Sequence, residues 1–180
     1  MGRHGLGPRG PRAGGGGRVR TDRRVPTDTE DPLAAAVRGA VASVDDPEYP
    51  GVSIVELGML DQIEISDDSV TVALVPTFSA CPAFAAIVDD TRRAVAAVAD
   101  GRPVRVVTST AVWSTARVTP AGRDALARAF TVAVDTEDST LTCPRCGATG
   151  LPETSPFGPT RCRAIHRCAA CGEHVEVMRT

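Results

Sequence analysis

Two Cys-x-x-Cys pairs near the C-terminus constrain this chain more than any other feature. Cys143-Pro144-Arg145-Cys146-Gly147 and Cys168-Ala169-Ala170-Cys171-Gly172 stand 21 residues apart. A Cys-x-x-Cys turn brings two sulfurs onto one ion, and a second such turn completes a tetrahedral four-thiolate shell. The residues between the pairs then form a closed excursion. Gly147 and Gly172 follow the two knuckles, and a glycine there lets the chain turn back at positive φ with its amides aimed at the sulfurs. The competing readings are two disulfides or four unrelated buried thiols; the spacing favours a metal site at Cys143, Cys146, Cys168 and Cys171. Four thiolates suit zinc and iron–sulfur clusters alike. A pair of knuckles closed on each other points to structural zinc, with an iron–sulfur cluster as the alternative.

A chain of 180 residues has room for one modest domain beside such a module. Aromatics make up only 3% of it against 42% hydrophobic residues, so the core has to be built from Val, Ala, Leu and Ile. No apolar run reaches the roughly 18 residues of a membrane span, and the N-terminus lacks the apolar middle of a secretory signal. The expected compartment is the cytoplasm, where thiols stay reduced and paired cysteines favour metal. All 20 basic residues are arginine. Residues 1–24 carry seven of them against one aspartate, for +6; residues 25–180 carry 13 against 21 acids, for −8. An acidic body argues against a nucleic-acid binder. A nucleic-acid-binding ribbon would have to use Arg145, Arg161, Arg163, Arg167 and Arg179, with no aromatic platform beside them.

Residues 1–26 are Gly, Arg and Pro with almost no large apolar side chain, and such a stretch cannot offset its ordering entropy. A disordered tail without a role in folding is expected there, with an arginine-rich arm for RNA or membrane as the alternative. A helix begins near Asp31-Pro32, capped by Asp28 or Thr29, with Leu33, Val37, Ala40, Val41 and Val44 on one face at helical spacing. Residues 45–51, with three acids and two prolines, read as a rigid negative loop. Two strands follow at Leu60–Ile65 and Val70–Pro76, joined by a Ser66–Ser69 turn. The second strand runs into Pro76-Thr77-Phe78-Ser79-Ala80-Cys81-Pro82 and a helix from Pro82 to about Ala99. A third strand at Val104–Thr108 and a helix from Pro120 to about Phe130 complete the pattern.

Pro82 suits the first helical position. Cys81 then sits at or beside the helix N-cap, where the dipole favours the thiolate. Such a thiol can take a soft metal or receive a cluster; the plainer alternative is a small buried cysteine. Glu56, inside the apolar run Val52–Leu60, is a candidate acidic neighbour, as is Asp61. Thr77 stands on the same loop as Cys81. Cys162 is a further thiol within the ribbon excursion, either packed there or handling incoming metal. No Gly-x-Gly-x-x-Gly occurs, and with no lysine there is no phosphate-binding Gly-Lys-Ser/Thr. A cysteine hydrolase would need a histidine beside Cys81, and His166 and His174 both lie in the ribbon.

Asp46-Pro47-Glu48-Tyr49-Pro50, Ser53–Gly58 and Pro76–Pro82 resemble the signature of the SufT-like metal–sulfur cluster assembly domain. With Trp113, Thr119–Arg123, Phe157-Gly158-x-Thr160-x-Cys162-Arg163-Ala164 and Arg167-Cys168-x-x-Cys171 in that order, the chain from about Pro32 to Thr180 resembles the PaaD family of phenylacetyl-CoA 1,2-epoxidase subunits. The resemblance implies a non-catalytic accessory subunit in aerobic phenylacetate breakdown, aiding iron or iron–sulfur maturation of the epoxidase subunits or their reductase. It also implies that Cys81 transiently holds iron or a cluster. The chain departs from the family pattern at Ala80, usually Gly, at Arg163 and His166, usually Lys and Tyr, and in a C-terminal end without aromatics. A general iron–sulfur carrier is the alternative, and a homodimer is compatible with either. The resulting expectation is an α+β assembly domain at 32–132 with a small mixed sheet and packed helices, a linker at 133–140, and a zinc β-ribbon at 141–180.

Overall fold

The computed structural model describes residues 1–2, 31–136, 140–160 and 162–179. The tail expected at 1–26 lies outside them but for its first two residues, as do Asp28 and Thr29. Helix α1 spans Pro32–Ala42 and is capped by Asp31, whose carboxylate accepts from the Leu33 amide at 2.9 Å. Pro32 at its first position has no amide hydrogen to satisfy, and Val37 and Val41 are fully buried. The acidic segment that follows is not a loop. Asp45–Asp46 (β1) and Tyr49–Ser53 (β2) pair antiparallel. The acids make this hairpin: Asp46 accepts from the Glu48 amide and Asp45 from the Gly51 amide, each at 2.8 Å.

Strands β3 (Leu60–Ile65) and β4 (Val70–Leu74) form an antiparallel hairpin, and β5 (Val104–Thr108) joins β4 in parallel. Val70, Val72 and Leu74 alternate onto the buried face as the pattern requires. Helix α2 (Phe84–Ala96) connects β4 to β5 and buries Ile87, Thr91 and Val95. It begins two residues beyond Pro82, because the Cys81 carbonyl is taken up in a tight turn by the Phe84 amide at 3.2 Å.

The Ser53–Leu60 segment is locked from outside. Ser53 and Glu56 form a reciprocal capping box: the Ser53 amide donates to the Glu56 carboxylate at 2.8 Å, and the Glu56 amide to the Ser53 hydroxyl at 3.2 Å. Trp113 Nε1 donates to the Leu57 carbonyl at 2.9 Å, and Arg117, in a short 3-10 turn, donates to the carbonyls of Gly58 and Leu60 at 2.8 and 3.1 Å. Helix α3 (Pro120–Phe130), capped by Thr119, lies so close that a Cβ at Gly122 would stand 2.6 Å from the Glu56 carbonyl oxygen.

The chain then makes β6 (Val132–Val134), β7 (Glu153–Ser155), β8 (Arg163–Arg167) and β9 (His174–Met178) in a four-stranded sheet of order β6-β9-β8-β7, with β6 parallel to β9. Residues 133–134, expected to open a linker, are therefore strand. An apolar Val-Ala-Val run leaving α3 finds a free ribbon edge and satisfies its backbone there. Met178, at the end of β9, packs in the same apolar cluster as Leu126, Val132 and Tyr49. Among the described residues no helix is long and apolar enough to cross a membrane.

Gly122→Ala should lower stability by about 1–3 kcal/mol, since backbone atoms must shift to admit the methyl group. Gly39→Ala, in exposed helix with no atom within 4 Å of the new Cβ, should stabilise by about 0.5–1 kcal/mol. Urea unfolding of the two variants measures both.

Candidate functional site

Two sites emerge, one wholly in the ribbon and one shared. In the first, the sulfurs of Cys143, Cys146, Cys168 and Cys171 all lie within 4.8 Å of one another. Cys143 and Cys171 are 3.8 Å apart and Cys146 and Cys168 3.7 Å. A disulfide would need about 2.05 Å, whereas the edge of a tetrahedron with metal–sulfur bonds of about 2.3 Å is about 3.8 Å. Gly147 and Gly172 have φ of 72° and 78° and return their amides to the Cys143 and Cys168 carbonyls at 2.8 and 2.9 Å. The Cys171 amide, then that of Ala170, draws the Cys168 thiol down to about 6 against its burial. Cys146 moves the other way, to about 12: the Ala148 amide lowers it, but the sulfurs of Cys171, Cys168 and Cys143 outweigh that. Four crowded sulfurs can be thiolates together only around a cation. The cluster is a potential four-cysteine metal-binding site.

The second site is a cavity of about 560 Å³ between the N-terminal domain and the ribbon. The domain contributes Asp46, Glu48, Tyr49, Thr77 and Cys81; the ribbon contributes Thr160 and Cys162, with Phe157 at its exposed rim. The structure thus brings Cys81, Thr77 and Cys162 together. Glu56 is not in the lining, because its carboxylate is used in the capping box. Asp61 is also elsewhere, held below the usual carboxylate range by the Ser109 hydroxyl and by Arg117. The acids that do face Cys81 are Asp46 and Glu48. Their signal was the density of carboxylates at 45–48, but nothing local aims that hairpin at a loop thirty residues on.

Cys81 itself differs from the expected thiolate. Burial pushes its thiol up, and the carboxylates of Asp46 and Glu48 add to this, against the lowering effect of the Ala83 and Phe84 amides. The helix starts too late for its dipole to dominate.

Arg163 ties the ribbon to the hairpin. Its guanidinium donates to Glu48 at 2.9 Å, to Glu176 at 2.5 Å and, through Nε, to the Thr160 hydroxyl at 2.9 Å. It also stands 5.0 Å from the centre of the Tyr49 ring.

Comparison with known proteins finds two family profiles along the chain. A family profile described as iron–sulfur cluster assembly protein matches residues 34–107. One described as PaaD zinc beta ribbon domain matches residues 127–179, a span that includes β6. The two matches place a segment similar to an iron–sulfur cluster assembly domain before one similar to a zinc ribbon that holds the four-cysteine cluster. Over 157 residues, 82% of this chain and 93% of the other, the sequence is 29% identical to an Escherichia coli (strain K12) protein provisionally named as a subunit of 1,2-phenylacetyl-CoA epoxidase. The order of the two matched segments, assembly domain and then PaaD-type ribbon, runs through the span over which the chain is similar to that protein. A crystal structure of a domain of unknown function (DUF59) from Bacillus anthracis is 23% identical and covers 52% of this chain and 91% of its own, with a TM-score of 0.48.

Because the Cys81 thiol is raised, its alkylation by iodoacetamide should be slow at neutral pH and still climbing at pH 9, the ordinary thiol value. Peptide-resolved mass spectrometry across a pH series checks this; a rate already at its plateau near pH 7 would contradict the burial argument.

Proposed function

We propose that this chain is a non-catalytic accessory subunit of the phenylacetyl-CoA epoxidase system in phenylacetate breakdown, and that it helps load iron or an iron–sulfur cluster into a partner subunit or its reductase. The observation that carries this reading is the placement of Cys81, on the assembly domain, at a cavity that the PaaD-type ribbon closes. A ribbon that only stapled the C-terminus would have no reason to roof the assembly domain's cysteine. A thiol is a suitable donor for iron in transit, binding a soft or borderline metal while leaving coordination positions for the acceptor. Among the described residues the cavity lining holds thiols, carboxylates and hydroxyls but no histidine to serve Cys81 as base, which supports metal handling over hydrolysis.

In this reading Cys143, Cys146, Cys168 and Cys171 hold a structural zinc. Four thiolates close the shell and leave no open position for chemistry. The ribbon also presents Phe157, 68% exposed, at the mouth of the cavity as a contact for the partner.

In a strain lacking this chain, growth on phenylacetate should fail while unrelated iron–sulfur enzymes keep their activity, and a Cys81→Ser protein should reproduce the defect. Full epoxidation with Cys81→Ser would remove the thiol from the function. Loss of iron–sulfur enzymes in general would favour a general carrier instead. Metal analysis and the absorption spectrum of anaerobically purified protein test the ribbon: one zinc per chain and no colour is expected, and a brown protein would reassign the knuckles to a cluster.

A further inference from the structure

We propose that Cys81 and Cys162 are the two protein ligands of a single thiophilic metal site that bridges the assembly domain and the ribbon. This rests on the functional reading above and adds to it a second ligand and its supporting groups. Of the six cysteines, four are committed to the ribbon cluster. The other two come one from the N-terminal domain and one from the ribbon, and line the same cavity.

Cys162 is held as a ligand would be. Arg163 Nε donates to the Thr160 hydroxyl oxygen at 2.9 Å, and Thr160 Oγ1 lies 3.0 Å from the Cys162 sulfur. A hydroxyl that accepts from a guanidinium has its own hydrogen free to donate to the sulfur, which steadies the thiolate and fixes its direction. Outer partners of this kind orient metal ligands. The Cys162 carbonyl is fixed too, accepting from the Arg179 amide at 3.1 Å.

Tyr49 supplies an independent pointer to a ligand. It is 2% exposed and lines the cavity, yet its hydroxyl has no hydrogen-bond partner. Buried hydroxyls are nearly always satisfied. Burial holds this phenol protonated, well above its ordinary range, so it is a donor in need of an acceptor. A metal-bound sulfur or oxygen in the cavity is such an acceptor.

Charge selects the same occupant. Asp46, 6% exposed, and Glu48 face the cavity. Arg163 donates to Glu48, while Asp46 accepts from the Glu48 amide and feels the Arg163 charge without an ion pair among the described residues. A divalent cation offsets this negative charge and takes the place of the two thiol protons, which leave to solvent as the metal–sulfur bonds form. A cavity of about 560 Å³ exceeds a closed single-ion cage. Two protein sulfurs therefore leave coordination positions open, as a site that must release its metal requires.

The test uses the full-length chain with zinc in its ribbon, titrated anaerobically with Co²⁺ as a spectroscopic probe. One Co²⁺ should bind beyond the zinc, with thiolate-to-cobalt charge-transfer absorption. Cys81→Ser and Cys162→Ser should each diminish that absorption while zinc content stays at one per chain. Thr160→Val should weaken Co²⁺ binding about tenfold or more. In the wild-type protein, which needs no variant to fold, one equivalent of Co²⁺ should protect Cys81 and Cys162 together from alkylation. Protection of Cys81 alone, with Cys162→Ser titrating like wild type, would overturn the bridged site and leave the Cys81 function standing. Protection of neither would overturn both.

Discussion

The guanidinium of Arg163, only 8% exposed, is the point at which the two parts of this molecule are joined. Taking that charge out of water is costly, and breaking one arm of such a pair typically costs about 3–5 kcal/mol because the remaining charge stays buried. Here the charge is met on several sides: Glu48 from the β1–β2 hairpin, Glu176 from the neighbouring ribbon strand, Thr160 from the ribbon loop, and the face of Tyr49. Only a planar group with several fixed donors can serve these directions together; a lysine ammonium is a single point charge. Through Glu48 the clamp fixes one wall of the cavity, and through Thr160 it fixes the loop that carries Cys162.

The docking has an apolar half as well. β6 leaves α3 and pairs with β9, and Met178 at the end of β9 enters the core of the N-terminal domain. The ribbon's own apolar cluster is small: Ala133, Leu151, Val175 and Val177 around the buried cysteines 143 and 168. So little buried surface does not hold a module of this size together without a metal or a neighbour. The four cysteines bring the knuckles together, and the β6–β9 pairing ties the sheet to its host.

The Ser53–Gly58 run shows how a motif can mislead as to role. Its carboxylate, Glu56, stands in an apolar stretch and invites a chemical reading. In the fold it caps a turn whose carbonyls are taken by Thr119, Trp113 and Arg117. The glycines at 58 and 122 belong to the same contact, each standing where a Cβ would strike backbone of the facing segment. That packing holds the start of β3 and α3 in place, and with them the platform on which the cavity is built.

Much of the fold was legible along the chain because it is decided within a few residues. Period-two burial marks β4, helical spacing marks α1 and α2, Thr119-Pro120 starts α3, and each Cys-x-x-Cys turn brings its own two sulfurs together. The hairpin at Asp45–Ser53 was missed because its turn is made by side-chain carboxylates rather than by the usual turn residues. The thiolate expected at Cys81 is overturned because its ionisation depends on burial and on Asp46 and Glu48, which no local rule places beside it. The sequence by itself determined a four-sulfur ribbon, an α+β domain and a cysteine on the loop before α2. That Cys81 lines one cavity with Cys162, Tyr49 and the acidic hairpin was decided only by tertiary structure. Glu48 and Arg163 touch across 115 positions of chain, and contacts at that separation follow from how whole elements pack, not from the residues beside them.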